Sequence, residues 1–331
     1  AYDADEYVAA IKNLLGRWLA FGPDAGKFEA EFPQYLGKKH GSLTNSGSSA
    51  NLLMVAALKS KNLFNLPEGS KIITPVVCFA TTINPIIQHG FEPVFTDVTL
   101  PDLNLDLDAV EKILEKDTNR DVRAIMFAHP LGNPPNMERV MSIVEKYDLI
   151  LLEDCCDALG STYDGKKLGS FGHMSTCSFY AAHHMTMGEG GFIATNDCQT
   201  RKVISSLRDW GRACYCNLAK PGRTSGNTAC GNRFKNWLPG MPNTVYDHRY
   251  VFQEMGYNLK PIDMQAAMGL QQIKKLPELD AARRKNFENL NEIFAPYKKY
   301  FYMPRATDKS DPCWVAYLLT IRPDVPFTRQ D

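Results

Sequence analysis

The chain contains 331 residues, and its 37 lysines and arginines balance 37 aspartates and glutamates, so the formal net charge at pH 7 is zero. This balance gives no basic footprint for nucleic acid or for an anionic membrane surface. No apolar run reaches the length of a membrane span and the first residues lack a signal-peptide pattern, so we expect a cytoplasmic protein that binds neither membranes nor nucleic acid.

Apolar residues at helical spacing predict a first helix over residues 3–20 and a second helix, capped by Asp24, that ends near Tyr35. Strand and helix patterns then alternate. The predicted strands cover residues 42–45, 71–74, 93–97, 123–128, 149–153, 176–180 and 191–195, and the predicted helices cover 49–59, 80–89, 108–116, 135–146 and 198–209. This alternation predicts an α/β fold with a mainly parallel sheet and helices on both faces. Ligands of such sheets bind at the carboxyl ends of strands and at helix N-termini.

The alternation stops at residues 211–250, which are rich in glycine and asparagine and contain three cysteines. A structureless loop of this length inside a compact domain is usually functional or disordered. Helices are predicted again over 262–275 and 278–295, and a strand over 314–321. We therefore expect an N-terminal helix (residues 1–21), a large ligand-binding domain (22–258) that holds the cysteine-rich loop, and a smaller C-terminal α+β domain (259–331).

Two adjacent histidines, His183 and His184, lie between the predicted strands 176–180 and 191–195, before a Gly-Glu-Gly-Gly turn. An imidazole can transfer a proton near neutral pH, which makes His183 a candidate acid–base residue. The structural alternative is a pair of histidines in a surface loop.

Three other motifs follow predicted strands. Residues 45–51 read Asn-Ser-Gly-Ser-Ser-Ala-Asn, which is typical of a phosphate cradle at a helix N-terminus and also of a plain N-cap. Asp154 stands at the end of an apolar strand, where a carboxylate either faces the ligand crevice or caps the next helix. Phe79 follows the strand at 71–76, and a single phenylalanine is most often a core residue.

Residues 178–184, Ser-Phe-Tyr-Ala-Ala-His-His, resemble the Ser-Phe-Tyr-Pro-Gly-Lys-Asn segment of the nucleotide-sugar aminotransferases. This is a pyridoxal-phosphate (PLP) family with the aspartate-aminotransferase fold, PLP fold type I. His183 stands where the family has the lysine that holds PLP as a Schiff base, and imidazole cannot form that bond. The resemblance covers nearly the whole chain, and compared with the family the C-terminal domain looks short.

The resemblance implies a role for each matching residue. Cofactor binding is implied for Ser46, Gly47, Ser48, Ser49 and Ser178 at the phosphate, for Phe79 on the pyridine face, for Asp154 at the pyridine nitrogen, for Asp157 beside it, and for Asn258, which would reach the phosphate of the partner subunit. The last of these implies a homodimer with shared sites. Lys260 replaces the arginine that is usual in the family's Gly-Tyr-Asn-Tyr-Arg motif.

The cysteines form a second constellation. Of nine cysteines in the chain, Cys156, Cys214, Cys216 and Cys230 are separated by 57, one and 13 residues. A disulfide framework is not expected in a chain of this size without an export signal. Four converging thiolates could bind a [2Fe–2S] cluster or zinc, and free buried thiols are the alternative.

These features are similar to those of the sugar 3-dehydrase branch of the family, which includes the CDP-4-keto-6-deoxyglucose enzymes. That branch has histidine in place of lysine and a [2Fe–2S] cluster held by four cysteines. The first two cysteine gaps match it, whereas the loop before Cys230 is six residues longer here. Residues 230–234, Cys-Gly-Asn-Arg-Phe, resemble the family's Cys-Gly-Lys-Arg-Phe, and Cys155 and Cys177 are the substitutes if Cys156 or Cys230 fails.

The resemblance implies an enzyme that uses pyridoxamine phosphate (PMP) and a [2Fe–2S] cluster. It would remove the C3 hydroxyl group of a nucleotide-linked 4-keto-6-deoxyhexose of the CDP-4-keto-6-deoxyglucose type, with His183 as the base. One-electron reduction would come from an NAD(P)H-dependent iron–sulfur flavoprotein reductase, and the product would serve an O-antigen or a glycosylated natural product. The alternatives are a PMP-only 3-dehydrase of the colitose type, without a cluster, and a catalytically silent regulator with the same fold.

Overall fold

The computed structural model describes residues 2–16, 18–214, 233–235, 238 and 240–331. The α-helices are α1 (Ala4–Leu15), α2 (Pro23–Glu31), α3 (Gly47–Lys59), α4 (Ala80–Gln88), α5 (Leu107–Lys116), α6 (Met137–Tyr147), α7 (Cys198–Arg208) and α8 (Asp263–Phe294). The strands are β1 (His40–Thr44), β2 (Lys71–Pro75), β3 (Glu92–Thr96), β4 (Val122–Ala128), β5 (Ile150–Asp154), β6 (Thr162–Tyr163), β7 (Lys166–Lys167), β8 (Met174–Ser178), β9 (Gly191–Thr195), β10 (Phe301–Tyr302), β11 (Ser310–Asp311) and β12 (Thr320–Ile321). Short 3₁₀ helices cover Phe32–Leu36, Pro130–Gly132, His248–Tyr250 and Ala295–Tyr297.

A seven-stranded sheet with the order β1-β9-β8-β5-β4-β2-β3 forms the centre of the fold. The strands β3, β2, β4, β5 and β8 are parallel, and β9 runs antiparallel to both of its neighbours, β8 and β1. The prediction of a mainly parallel sheet is therefore confirmed. Because these strands are parallel, the carboxyl ends of β4, β5 and β8 meet at one edge of the sheet, where ligands bind in folds of this kind.

Helices cover both faces of the sheet, as predicted. Side chains alternate along β5, so that Leu151 packs with residues of α2, α5, α6 and α8, while Leu152 packs with residues of α3, α4 and α7. Both residues are fully buried, as expected for a parallel strand that is covered twice. The same alternation directs Asp154 towards α3 and α4, and Glu153 towards the opposite face.

Helix α8 is a single element over Asp263–Phe294, so the predicted break between residues 275 and 278 is wrong. Pro277 lies inside the helix. A proline removes one backbone hydrogen bond, which is a local loss. The preceding part of α8 is held by burial of Ala266, Gly269 and Leu276, and this packing outweighs that loss.

The N-terminus of α2 is capped from a distant part of the chain rather than by Asp24. The N-cap residue is Gly22, which has no side chain to offer, and Asp24 lies in the first turn. The Asp263 carboxylate at the start of α8 accepts the backbone N–H of Gly22 at 2.9 Å and that of Ala25 at 2.8 Å. Asp24 is therefore wrong as a cap, because a buried carboxylate from α8 supplies the acceptor.

The first helix ends earlier than predicted, at Leu15 instead of residue 20. Gly16 is the C-cap residue of this helix, and its N–H donates to the carbonyls of Lys12 and Asn13 at 3.1 Å each. Further on, the Trp18 indole N–H donates to the Phe21 carbonyl at 3.1 Å, which holds a tight bend. The apolar spacing at residues 18 and 19 therefore marks a turn and not a helical continuation.

The predicted strand at 314–321 is wrong over most of its length, because only Thr320–Ile321 form β12, paired with β10. The aromatic residues of this segment pack on α8 instead of alternating across a sheet. The Trp314 ring stacks on Phe287 with 4.1 Å between ring centroids, and the Tyr317 hydroxyl donates to Asn291 at 2.8 Å. In the part of the chain that the structure describes, no helix combines the length and the apolarity that a membrane span requires.

Candidate active site

A cavity of about 280 Å³ lies at the carboxyl ends of β4, β5 and β8, close to the size at which small-molecule sites begin. Its walls come from these strand ends, from the first turns of α3 and α4, and from the loop that carries His183. The lining residues are Gly47, Ser48, Asn51, Val77, Cys78, Phe79, Thr81, Leu103, Ala128, Pro130, Leu131, Asp154, Cys156, Asp157, Ser178, His183 and Leu318. Most of the site residues predicted from the sequence therefore share one cavity.

The N-terminus of α3 forms one wall, where the sequence predicts a phosphate cradle. Ser46 is the N-cap and its hydroxyl accepts the backbone N–H of Ser49 at 3.0 Å. A Cβ atom on Gly47 would lie 2.6 Å from the Ser178 Cβ and 3.0 Å from the Cys156 sulfur, so only glycine allows this approach. Gly47 and Ser48 line the cavity, whereas Ser46 and Ser49 are hydrogen-bonded to each other at the N-terminus of α3. A helix N-terminus presents free N–H groups to an anion.

Asp154 is buried at the end of β5, with 4% of its surface exposed. Its Oδ2 atom accepts hydrogen bonds from the Asn51 amide of α3 and the Thr82 hydroxyl of α4, both at 2.8 Å. Thr176 in turn donates to the Asn51 side-chain oxygen at 2.7 Å. The Oδ1 atom accepts the Cys156 backbone N–H at 3.1 Å, in the turn that follows β5. The carboxylate is therefore fixed by side chains of two helices and by this turn, and the element that follows β5 is β6, not a helix that it could cap.

Phe79 is 74% exposed at the cavity, so the core alternative for this ring is wrong. It is the N-cap of α4, directly after the loop that follows β2. Ser178 ends β8 and its hydroxyl accepts the Tyr180 N–H at 3.3 Å. Both Phe79 and Ser178 line the cavity.

His183 faces Asp157 within the cavity. The His183 Nδ1 atom lies 3.2 Å from an Asp157 carboxylate oxygen, and the two side chains are 21% and 40% exposed. The carboxylate faces this nitrogen and can orient the imidazole ring. This arrangement leaves Nε2 for proton transfer and argues against a pair of histidines in an ordinary surface loop.

Helix α8 holds the loop that carries His183, because polar side chains of α8 bind its backbone at three points. The Arg283 guanidinium donates to the His183 carbonyl at 3.2 Å. The Gln272 carbonyl oxygen accepts the Thr186 N–H at 3.1 Å, and Gln265 donates to the Glu189 carbonyl at 2.6 Å. The loop has no regular hydrogen-bond ladder of its own, so these contacts set where His183 stands.

His184 points away from the cavity and is only 1% exposed. Its Nε2 atom lies 2.6 Å from the Cys313 carbonyl, so this nitrogen carries the proton. Burial lowers the pKa of His184 to about 4, although the Cys313 carbonyl opposes that shift. His184 therefore ties the loop to the C-terminal segment as a neutral ring and does not share proton transfer with His183.

The cysteines that the resemblance implies as ligands are only partly described. Cys156 is half-buried and lines the cavity, and burial, followed by the charge of Asp154, raises the pKa of its thiol. The Cys214 sulfur lies 3.7 Å from the His248 Nε2 atom. Cys216 and Cys230 lie outside the described residues. The substitutes Cys155 and Cys177 are buried in the core on the face of α2 and α8.

Asn258 is not among the residues that line the cavity of its own chain. Its side-chain oxygen accepts the Lys260 ammonium at 2.7 Å, and its backbone pairs with Asp209. The Lys260 nitrogen also lies 3.4 Å from the centre of the Trp210 ring. Lys260 thus has local partners in this chain, and the role of Asn258 in a neighbouring subunit stays a prediction.

Sequence reasoning missed several residues that build the site: Asn51, Thr82, Arg283 and the segment around Cys313. For Asn51 a signal existed, since a polar residue one turn after the glycine of a cradle faces the same side of the helix. For Arg283 there was none, because its contact with His183 joins residues 100 positions apart.

Comparison with known proteins supports the family resemblance that the sequence motifs indicate. Residues 2–331 match the model of the DegT/DnrJ/EryC1/StrS aminotransferase family. The chain is 43% identical over 329 residues to dTDP-4-dehydro-2,6-dideoxy-D-glucose 3-dehydratase of Saccharopolyspora spinosa, covering 99% of this chain and 69% of that protein. It is also 43% identical over 321 residues to lipopolysaccharide biosynthesis protein RfbH of Salmonella typhimurium, covering 96% and 71%.

A solved structure agrees with these relatives. The Escherichia coli GDP-4-keto-6-deoxy-D-mannose-3-dehydratase with bound hydrated PLP superimposes with a TM-score of 0.84 at 30% sequence identity, covering 100% of this chain and 79% of that one. The fold is thus that of PLP fold type I, and the relatives include sugar 3-dehydratases that act on nucleotide-linked sugars.

Proposed function

Because the chain belongs to the DegT/DnrJ/EryC1/StrS aminotransferase family, we propose that it removes the C3 hydroxyl group of a nucleotide-linked 4-keto-6-deoxyhexose. One observation carries this proposal. The cavity contains the residues expected for a PLP-type cofactor, but a histidine paired with a carboxylate occupies the position of the lysine that aminotransferases need. Without that lysine a Schiff base with the protein cannot form, so the cofactor works as its free amine, PMP.

The described residues fit PMP. The start of α3 around Gly47 and the Ser178 hydroxyl would hold the phosphate, Asp154 would hold the pyridine nitrogen, and Phe79 would lie on the face of the ring. When bound, PMP supplies a primary amine for the sugar ketone and a ring that accepts electrons. The fixed geometry of Asp154, which accepts hydrogen bonds from Asn51 and Thr82, keeps its carboxylate aimed at one place in the cavity.

His183 would act as the base in this proposal and would accept a proton at Nε2, the ring nitrogen that does not face Asp157. Asp157 stabilises the imidazolium that results, since its carboxylate lies 3.2 Å from Nδ1. The Arg283 contact keeps the backbone of His183 in place during this transfer. Proton transfer by a positioned side chain contributes roughly 10²–10⁴-fold to the rate.

We further propose that the dehydrated sugar is reduced with electrons from a [2Fe–2S] cluster. Cys156, Cys214, Cys216 and Cys230 would hold it, and the spacing of the first three and the position of Cys156 at the cavity support this. Loss of the hydroxyl group as water, followed by two single electrons and two protons, gives the 3-deoxy sugar. The electrons would come from an NAD(P)H-dependent iron–sulfur flavoprotein reductase, and a substrate of the CDP-4-keto-6-deoxyglucose type is the first to test.

A homodimer with shared sites also belongs to this proposal. Asn258 is absent from the cavity of its own chain but belongs to a motif that reaches the cofactor phosphate in the family. A second copy of the chain would bring it there.

The alternative is a PMP-only 3-dehydrase. One relative, 31% identical over 331 residues, is named GDP-4-keto-6-deoxy-D-mannose 3-dehydratase and comes from E. coli O55:H7. The third possibility is a catalytically silent protein of the same fold, for which a His183→Asn variant would change nothing.

Optical spectra with iron, sulfide and PMP analysis on protein purified without oxygen separate these possibilities. Two irons and two sulfides per chain together with PMP support the cluster-dependent enzyme. PMP without iron favours the PMP-only enzyme, and neither cofactor leaves the silent protein. As a matched pair, Cys156→Ser should lose iron while Cys198→Ser, at an exposed cysteine outside the cavity, should keep it.

A further inference from the structure

A shallow groove continues outward from the cavity. Four residues line both the cavity and the groove: Leu103, Pro130, Leu131 and Leu318. The groove adds Pro101, Asp102, Asn133, Pro304, Arg305 and Trp314 to these walls. A substrate that reaches His183 with its sugar has to extend beyond the cavity, and the groove adjoins the cavity through these four shared residues.

Basic and acidic side chains are unevenly distributed along the cavity and the groove. Among the described residues that line the cavity and the groove, Arg305 is the one arginine and no lysine is present. The cavity itself adds the carboxylates Asp154 and Asp157. A nucleotide sugar carries a diphosphate, and arginine is the residue best suited to bind it, because its planar guanidinium donates two parallel hydrogen bonds.

Arg305 is available for such a ligand. Its side chain is 71% exposed, and its Nε atom lies 3.2 Å from a carboxylate oxygen of Asp102, which is 17% exposed. An ion pair at an exposed site contributes little stability, so a diphosphate with a higher charge can replace Asp102 at small cost.

The loop that carries Arg305 is anchored to the large sheet domain. Asn133, which is 1% exposed, donates to the Arg305 carbonyl at 3.1 Å and accepts the Thr307 N–H at 2.9 Å. Asn104, which is 4% exposed, donates to the Pro134 carbonyl at 2.9 Å, next to the same loop. These buried amides hold the loops of Asp102 and Arg305 together, so the guanidinium is presented from a fixed backbone.

The backbone at the junction of cavity and groove is strained. Leu103 and Leu131 both adopt φ of +55°, a left-handed conformation that is costly for a leucine. Such conformations persist where the surroundings enforce them, and they cluster at ligand sites. Both leucines line the cavity and the groove, which places the strain where a substrate would pass.

We propose that Arg305 binds the diphosphate of the nucleotide sugar. In the absence of substrate, Asp102 forms an ion pair with the Arg305 guanidinium. This assignment of Arg305 rests on the proposed function, because it names the residue that anchors the same substrate.

The test measures binding of CDP, GDP and dTDP, and of the corresponding nucleosides, to cofactor-loaded protein by calorimetry. Arg305→Gln should weaken binding of the diphosphates by at least about 10-fold and leave the nucleosides unchanged. Arg305→Lys should fall between the two, since it keeps the charge but loses the fork. Asp102→Asn should tighten diphosphate binding, because it removes the competing carboxylate.

Arg120→Gln is the matched control, since Arg120 lies before β4 at the opposite edge of the sheet. Wild-type affinity in Arg305→Gln, an equal loss for the nucleosides, or no diphosphate binding by the wild-type protein would each overturn the proposal. Dehydration of a sugar nucleotide is read in a separate assay. Binding that depends on Arg305 without dehydration would refute the reaction and leave the diphosphate site standing.

Discussion

Asp154 and His183 are supported in different ways. Asp154 ends a strand in the middle of the sheet and accepts hydrogen bonds from two helices that pack on that strand. His183 stands in a loop, and its position depends on Asp157, on Arg283 of α8 and on the adjacent contact between His184 and Cys313. The part of the cavity around Asp154, which we propose holds the cofactor, is therefore built into regular structure. The part around His183, the proposed base, is assembled by contacts between distant segments.

Of the variants considered, replacement of His183, the proposed base, should have the largest effect on the rate of dehydration. His183→Asn should reduce the rate of dehydration by about 10²–10⁴-fold, because the amide cannot take a proton at neutral pH. Cofactor content should stay near that of the wild-type protein. Turnover and PMP content are measured together, with His40→Asn as the control, at a histidine in β1 outside the cavity. Unchanged turnover would refute His183 as the base.

Asp154→Asn tests the other part of the cavity. The amide cannot keep the pyridine nitrogen protonated. It also replaces one of the two carboxylate oxygens by an NH2 group, although Asn51 and Thr82 both donate to this carboxylate. We expect turnover to fall on the order of 100-fold and cofactor affinity to fall with it. Equilibrium dialysis of PMP gives the affinity. A variant that keeps both the turnover and the PMP affinity of the wild-type protein would show that Asp154 does not contact the cofactor.

Arg283→Met removes the guanidinium that donates to the carbonyl groups of His183, Trp314 and Val315. A small displacement of the base should lower kcat about 10-fold, with little change in KM or in cofactor content. Arg283→Lys should restore part of the rate, since one donor can still reach the His183 carbonyl. Equal losses in both variants, accompanied by loss of cofactor, would indicate a general structural role instead.

The smallest expected effect concerns His184, and it is an effect on the stability of the fold as the pH changes. The pKa of His184 is lowered to about 4 in the folded protein, so the unfolded chain binds more protons between that value and the ordinary pKa near 6.5. Burial of His184 therefore has almost no effect on the free energy of unfolding above about pH 6.5, and it lowers that free energy as the pH falls towards 4, by up to about 3 kcal/mol.

His184→Gln keeps a donor for the Cys313 carbonyl and cannot titrate. Urea denaturation between pH 7 and pH 4 should therefore show a flatter loss of stability in the variant than in the wild-type protein. Identical pH profiles would mean that His184 is not held neutral by burial.

Much of the fold could be predicted from local pattern. Strand β9 was predicted with its observed ends, and β2 to β5 to within one residue, because each is a short run rich in apolar residues between turn signals. The errors concern segments whose neighbours lie far away in the chain: the cap of α2 comes from Asp263, the helix around Pro277 continues because of its packing, and Trp314 stacks on Phe287.

The site divides in the same way. The cradle at Gly47, the carboxylate of Asp154 and the histidine at the position of the lysine were determined by the sequence alone, since each lies in a contiguous motif next to a strand or a helix start. Only the tertiary structure decided that Asp157 faces His183, that His184 faces away, and that Arg283 and Arg305 lie near the cavity. Local spacing records backbone preferences over a few residues, whereas these contacts depend on where separate elements pack.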